Sequence, residues 1–328
     1  MNKENRMKKQ ILLIFSIIII LFCLKFFFLN YHNISFERCE FGINRFEQEF
    51  FNIEEDSFDI EFINCKNKFP SFFTDTSLDF KTDVFLNDTL RLVLDSVDSV
   101  FKTHLPQLEK LESGFCNYKN YFPTDSFSIY TYIEGTFDYR YPVVFANEKL
   151  FISLDLFLGN NHSFYKFLPD YIKFSHDTLY LPASCFTTLA GRHIPYPDLN
   201  NFLETILHYS KAYFFTQKML IDIPEHHLFK CAEEKMKWCR NNEKIIWKYM
   251  IEKDYLFSNS SDLIDRFVSL APFSKFGLDI DANSPGSVGI WLGLQILNSY
   301  ADKNNVSLID ILNETDYMKI LNKSGYKP

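Results

Sequence analysis

Phe127-Ser-Ile-Tyr-Thr-Tyr-Ile133 decides the fold class, because there a chain otherwise patterned for helices changes its period. Apolar and polar residues alternate, which sends successive side chains to opposite faces of a strand. Tyr141-Pro-Val-Val-Phe-Ala146 and Leu150-Phe-Ile-Ser-Leu154 continue the texture, and Asn147-Glu148 between them offers a turn. A small, mostly antiparallel sheet is expected.

Helices are expected on both sides of it. Apolar residues recur at helical spacing over 84–101, and a second helical pattern runs over 105–121, with Pro106 and Pro123 at its boundaries. Residues 30–75 read as a lead-in, with a short helix at Phe46-Glu-Gln-Glu-Phe50 and a turn at Phe69-Pro-Ser-Phe-Phe73. Beyond the sheet, helical patterns cover 199–220, 228–255, 263–268, 285–302 and 308–312. Two helical halves around one sheet make a single α+β domain over 30–328, predominantly helical, more economical than two; a boundary near residue 195 is the alternative.

The 328 residues include 37 Phe and 18 Tyr against 10 Gly, enough apolar surface for a packed core. The net charge of -8, with no basic cluster beyond the extreme N-terminus, leaves no electrostatic footprint for a phosphate backbone, so nucleic acid is not an expected partner.

Lys3, Arg6, Lys8 and Lys9 precede an uncharged run over 11–24, followed by Lys25 and Phe26–Leu29. This is the layout of a charged region followed by an apolar one in a targeting segment, here 1–29. The run has the length of a signal peptide, and with 26–29 added it just crosses a bilayer if Lys25 snorkels, so a cleaved signal and a retained anchor both fit. Cys23 stands where a lipoprotein cysteine would stand, preceded by bulky Phe22 where such signals carry a small residue. In each case the basic residues stay inside and the rest is translocated. The cysteines at 39, 65, 116, 185, 231 and 239 match no disulfide framework, and no pairing is expected.

Catalytic motifs are sparse. The sequence holds no HExxH, GxSxG or P-loop. His227 and Cys231, four apart with His226 beside them, come nearest to a metal cluster, and a solvated helix start after Pro224 explains them equally. Glu204 and His208 are also four apart, a spacing that orients an imidazole as a base or simply forms a partly buried hydrogen bond. Ser184-Cys185 is the one candidate nucleophile in a segment that reads as an exposed loop, though a cysteine between Ala183 and Phe186 is more often a small packing residue. Ser284-Pro-Gly-Ser-Val-Gly289 opens a helix carrying Trp291, with Ser284 suited to cap it. Its free N–H groups suit an anion, with Lys275 assisting, unless Gly286, Gly289 and Gly293 serve close helix packing instead. No catalytic residue, metal or cofactor is assigned.

Ile152-Ser-Leu-Asp-Leu-Phe-Leu-Gly159, Phe164-Tyr-Lys-Phe-Leu-Pro-Asp-Tyr-Ile172 and Ala271-Pro-Phe-Ser-Lys-Phe276, followed by Ser284–Gly293, resemble the gliding-motility lipoprotein family GldB of Bacteroidetes. Tyr121-Phe-Pro123, Asn242-Glu-Lys-Ile-Ile-Trp247 and Lys323-Ser-Gly-Tyr-Lys-Pro328 extend the resemblance over nearly the whole exported chain. It implies a non-catalytic cell-envelope lipoprotein, anchored to the membrane by its N-terminus, with protein partners in motility and type IX secretion assembly. The family is also distantly similar to zinc peptidases of the HExxH class. If His208 stands at the first His of that motif, Tyr209 replaces the glutamate and Ala212 the second His, a degenerate peptidase-like shell reused for binding. The expected binding surface joins Asp155, Tyr165 and Asp170 to Lys275, Ser284, Gly286 and Trp291 in a groove for a protein or peptide. A peptidase-like hydrolase, or a small-ligand pocket near His208 and the Ser284 helix start, is the alternative.

Overall fold

Four strands, β1 (Ile43–Arg45), β2 (Ser128–Tyr132), β3 (Val143–Ala146) and β4 (Lys149–Ser153), share one sheet in the order β1-β2-β4-β3. The computed structural model describes residues 42–73, 87–101, 106–278 and 281–328. Asn147 and Glu148, with φ of 50° and 56°, form the left-handed pair that a two-residue hairpin needs to match strand twist, and they join β3 to β4 in antiparallel register. The other pairings differ from expectation: β2 lies parallel to both β1 and β4, so the sheet is mixed rather than mostly antiparallel. The cause is the segment 133–142, which carries the chain across so that β3 takes the outer edge and β4 returns beside β2 in the same direction.

Thirteen α-helices stand among the described residues. α1 (Phe46–Phe51) and α2 (Phe58–Lys68) cover the outer face of the sheet, where Tyr130 stacks on Phe151 at 5.6 Å and Phe72 packs on both. The lead-in thus supplies an edge strand and a second, Phe-rich core. The inner face, Ile129, Leu150 and Ile152, joins the main core with Val93, Val97 and Phe101 from α3 (Asp88–Phe101), spaced four apart as one helical stripe. α4 (Pro106–Tyr121) begins at the proline that its sequence placed there.

The remaining helices are α5 (Asp170–Phe174), α6 (Leu181–Ala190), α7 (Phe202–Met219), α8 (Glu225–Leu228), α9 (Glu233–Glu252), α10 (Asp262–Phe267), α11 (Val288–Asn304), α12 (Leu308–Asn313) and α13 (Tyr317–Ser324). α7 and α11 form the centre. A Cβ at Gly293 of α11 would lie 2.3 Å from Ser210 Oγ and 2.7 Å from the Ile206 carbonyl, so only glycine admits this approach of α7. Ser210 Oγ sits 2.6 Å from the Ile290 carbonyl, a polar link available only at that distance. α11 starts at Val288, not at Pro285 as its sequence suggested. The Ser284 hydroxyl is taken by Ser274 N and the Asp281 carbonyl, and Ser274 Oγ accepts from Val288 N instead.

Phe41–Pro328 form one contact unit that spans residue 195. No helix among the described residues is long and apolar enough to cross a membrane. The N-terminal apolar run, Cys23 included, lies outside the described residues.

Candidate functional site

A cavity of about 660 Å³ opens between α5, the turn after α8 and the loop leading into α11. That volume suits a drug-sized molecule or a few side chains of a partner. Tyr171 and Phe174 of α5, Tyr213 of α7 and Phe229 give it aromatic walls, Leu270 and Pro272 flank the mouth, and Pro285–Ser287 close the far side.

Its cations are placed by backbone geometry. Lys230 follows α8 with a left-handed φ of 50°, a conformation that costs a non-glycine residue on the order of 1 kcal/mol and turns the chain toward α9. Burial of the amine brings the Lys230 pKa down to about 8. Lys235, on the first turn of α9, donates to the carbonyls of Ser284 at 2.7 Å, Pro272 at 2.8 Å and Ala282 at 3.3 Å, which ties that helix to the loop before α11. Burial also lowers its pKa. Arg140, at the rim, is held by a bidentate pair with Asp138.

His176 lines the same cavity and is 1% exposed. Its Nδ1 lies 2.7 Å from the Leu156 carbonyl, which fixes the proton there and leaves Nε2 as a lone pair; Nε2 is buried and has no hydrogen-bond partner among the described residues. Burial lowers the imidazole pKa, the Leu156 bond opposes this, and the Lys230 charge adds to the lowering.

The residues singled out from sequence divide. Asp170 and Gly286 line the cavity, so the 152–172 strip and the Ser284 loop meet there. Asp155, Tyr165, Ser284 and Trp291 lie buried as support, not on a surface. Asp155 accepts from Ser153 Oγ, Glu134 N and Gly135 N, Tyr165 OH donates to the Asp155 carbonyl, and Trp291 Nε1 donates to Glu225 at 2.6 Å. Lys275 is exposed and outside the cavity; Lys235 occupies the place expected for it. Lys230 and His176 were missed, since neither a left-handed turn at lysine nor an orphaned nitrogen leaves a mark in sequence.

Glu204 and His208 do not pair among the described residues. The Glu204 carboxylate accepts from Asn200 N at 2.8 Å and Asn201 Nδ2 at 2.7 Å, closing the N-terminus of α7. His208 Nδ1 sits 3.1 Å from Tyr317 OH, with the Tyr196 and Tyr209 rings against it. His226 and His227 meet edge-on, as do His227 and Tyr180, and no group of three His, Cys, Asp or Glu among the described residues is disposed to hold a metal ion. Ser184 and Cys185 lie buried in α6 rather than in an exposed loop, and burial pushes the Cys185 thiol well up. Cys65, Cys185, Cys231 and Cys239 are free thiols.

Acid should weaken the fold. Burial holds His162, His176, His193, His208 and His227 below the ordinary imidazole pKa, so beneath pH ~6.5 the unfolded chain binds protons that the folded chain refuses. Their contribution is complete above that pH and is lost as pH falls toward the folded values. Urea midpoints measured from pH 8 to pH 6 should fall at the acid end, and His176→Asn, whose amide still donates to Leu156, should flatten the slope. A flat profile in the native chain would contradict this placement of the histidines.

No curated protein and no solved structure matches the chain. Residues 30–328 match the family described as gliding motility protein GldB. With most of the chain inside that match, this protein belongs to the GldB gliding-motility family.

Proposed function

We propose that this chain is a non-catalytic cell-envelope lipoprotein of the gliding machinery, associated with type IX secretion, that works by holding a protein partner at the cavity beside α5. Residues 1–29 export and anchor it, with Cys23 the candidate for lipidation, and 30–328 form a single exported domain. The observation that carries the binding role is the cavity itself, where segments quoted for the family resemblance contribute Tyr171, Pro272 and Gly286 to the walls around a cationic floor. In support of a non-catalytic role, burial pushes up the thiols of Cys185 and Cys231, and among the described residues the His176 Nδ1 is oriented by the Leu156 carbonyl rather than by a carboxylate.

The test is chemical crosslinking and capture of the envelope-solubilised native chain, with mass spectrometry of the captured subunits and of the peptide bearing Cys23. Tyr139 and Leu270, 39% and 60% exposed at the cavity rim, tolerate charge without loss of fold. The double variant Tyr139→Asp, Leu270→Arg is expected to lose motility or secretion subunits that the native chain captures. Equal capture by both would remove the cavity from the partner site.

A further inference from the structure

We propose that the cavity floor is a subsite for the C-terminal end of a peptide, the carboxylate of its last residue on Lys230 and the amide N–H of that residue on His176. This rests on the cavity being the partner site, and it adds the chemistry of what enters.

Two polar groups at the floor lack complements. Lys235 is saturated by three carbonyls and Arg140 is paired with Asp138, whereas the Lys230 ammonium has no hydrogen bond or ion pair among the described residues. The carboxylate at the cavity, Asp170, has a side chain 98% exposed and pairs with Lys173, so it does not neutralise the floor. A desolvated cation without a counter-charge is matched by an anion. Lys230 and His176 line the same cavity, which offers both to one ligand.

His176 sets the second requirement. With Nδ1 donating to Leu156, the buried Nε2 is an acceptor and calls for a donor. An anion and an N–H side by side, on an apolar body for the walls of Tyr171, Phe174, Tyr213 and Phe229, describe the terminal residue of a peptide or another N-acylated amino acid. A fatty acid supplies the anion and the apolar body but no donor, which leaves Nε2 orphaned.

Calorimetry on the detergent-solubilised full chain separates these cases with four probes: N-acetyl-leucyl-phenylalanine, its C-terminal amide, the analogue with an ester in place of the last peptide N–H, and decanoate. The free acid is expected to bind best, with the amide about tenfold weaker or more and the ester and decanoate also weaker. Lys230→Met should reduce the acid to the level of the amide, and Lys230→Arg should keep the preference. Should Lys230→Met fail to fold, His176→Asn serves in its place, and it should abolish the preference for acid over ester. Equal binding of acid and amide, decanoate equal to the acid, or no binding of the acid at millimolar concentration overturns the subsite. If Lys230→Met captures partner subunits as the native chain does while the peptide acid does not bind, the subsite fails and the partner site stands. If the Tyr139→Asp, Leu270→Arg variant also captures normally, the partner site fails as well.

Discussion

Gly293→Val is expected to lower stability by about 3 kcal/mol or more, because the new side chain enters a core already at native density. Its Cβ alone would fall 2.3 Å from Ser210 Oγ and 2.7 Å from the Ile206 carbonyl, and the second contact is backbone that cannot swing aside. α7 and α11 would have to separate, stretching the 2.6 Å contact of Ser210 Oγ with the Ile290 carbonyl and opening the layer around Ile206 and Trp291. For a chain of this size the loss corresponds to a fall of roughly 5 °C in melting temperature. Gly293→Ala combined with Ser210→Ala removes the hydroxyl collision and leaves the carbonyl one, so it should lose less than the valine variant and more than Ser210→Ala alone. A Gly293→Val protein that melts with the native one would mean that the two helices are not in this contact.

Asp155→Ala should cost about 3 kcal/mol, since one carboxylate satisfies three donors and its removal strands them together. Oδ1 accepts from Ser153 Oγ at 2.6 Å and from Glu134 N at 3.1 Å, and Oδ2 accepts from Gly135 N at 2.9 Å. These bonds fasten the end of β4 to the turn after β2, where Gly135 holds a φ of 78°. Burial raises the carboxyl pKa and the same three bonds oppose that rise. Asp155→Asn keeps one carbonyl acceptor, and the Ser153 hydroxyl can turn to receive the new amide, so it should lose clearly less than alanine. Urea midpoints at constant slope measure both; an alanine variant within about 0.5 kcal/mol of native would show that water replaces the carboxylate freely.

Both variants probe features that sequence signalled only in part. The glycines at 286, 289 and 293 read first as packing positions and second as an anion-binding helix start. The structure gives Gly289 and Gly293 contacts with α7 and the end of α10 that a Cβ would violate, and sets Gly286 against the Ala271 backbone. Asp155 drew notice through its place in a motif, yet its chemistry is internal, because the strand-end turn beside it needs an acceptor. Glu204 likewise stands at helical spacing from His208, but Asn200 and Asn201 at the start of α7 offer it donors, and the cap wins.

By itself the sequence determined what local periodicity and motif order record. The 3.6-residue stripes located α3, α4, α7 and α11 to within a few residues, the alternation at 127–133 located β2, and Asn147-Glu148 located the hairpin. The ordered motifs determined the family. Tertiary structure alone decided the parallel pairing of β2 with β1 and β4, the Phe-rich second core on the sheet's outer face, and the cavity with Lys230 and His176 at its floor. The reason is physical: periodicity along a chain tells which face of an element is apolar, but not which distant element covers it. His176, Lys230 and Gly286 stand more than fifty residues apart in sequence, and only the packing of α5, α7 and the α11 loop sets them around one space.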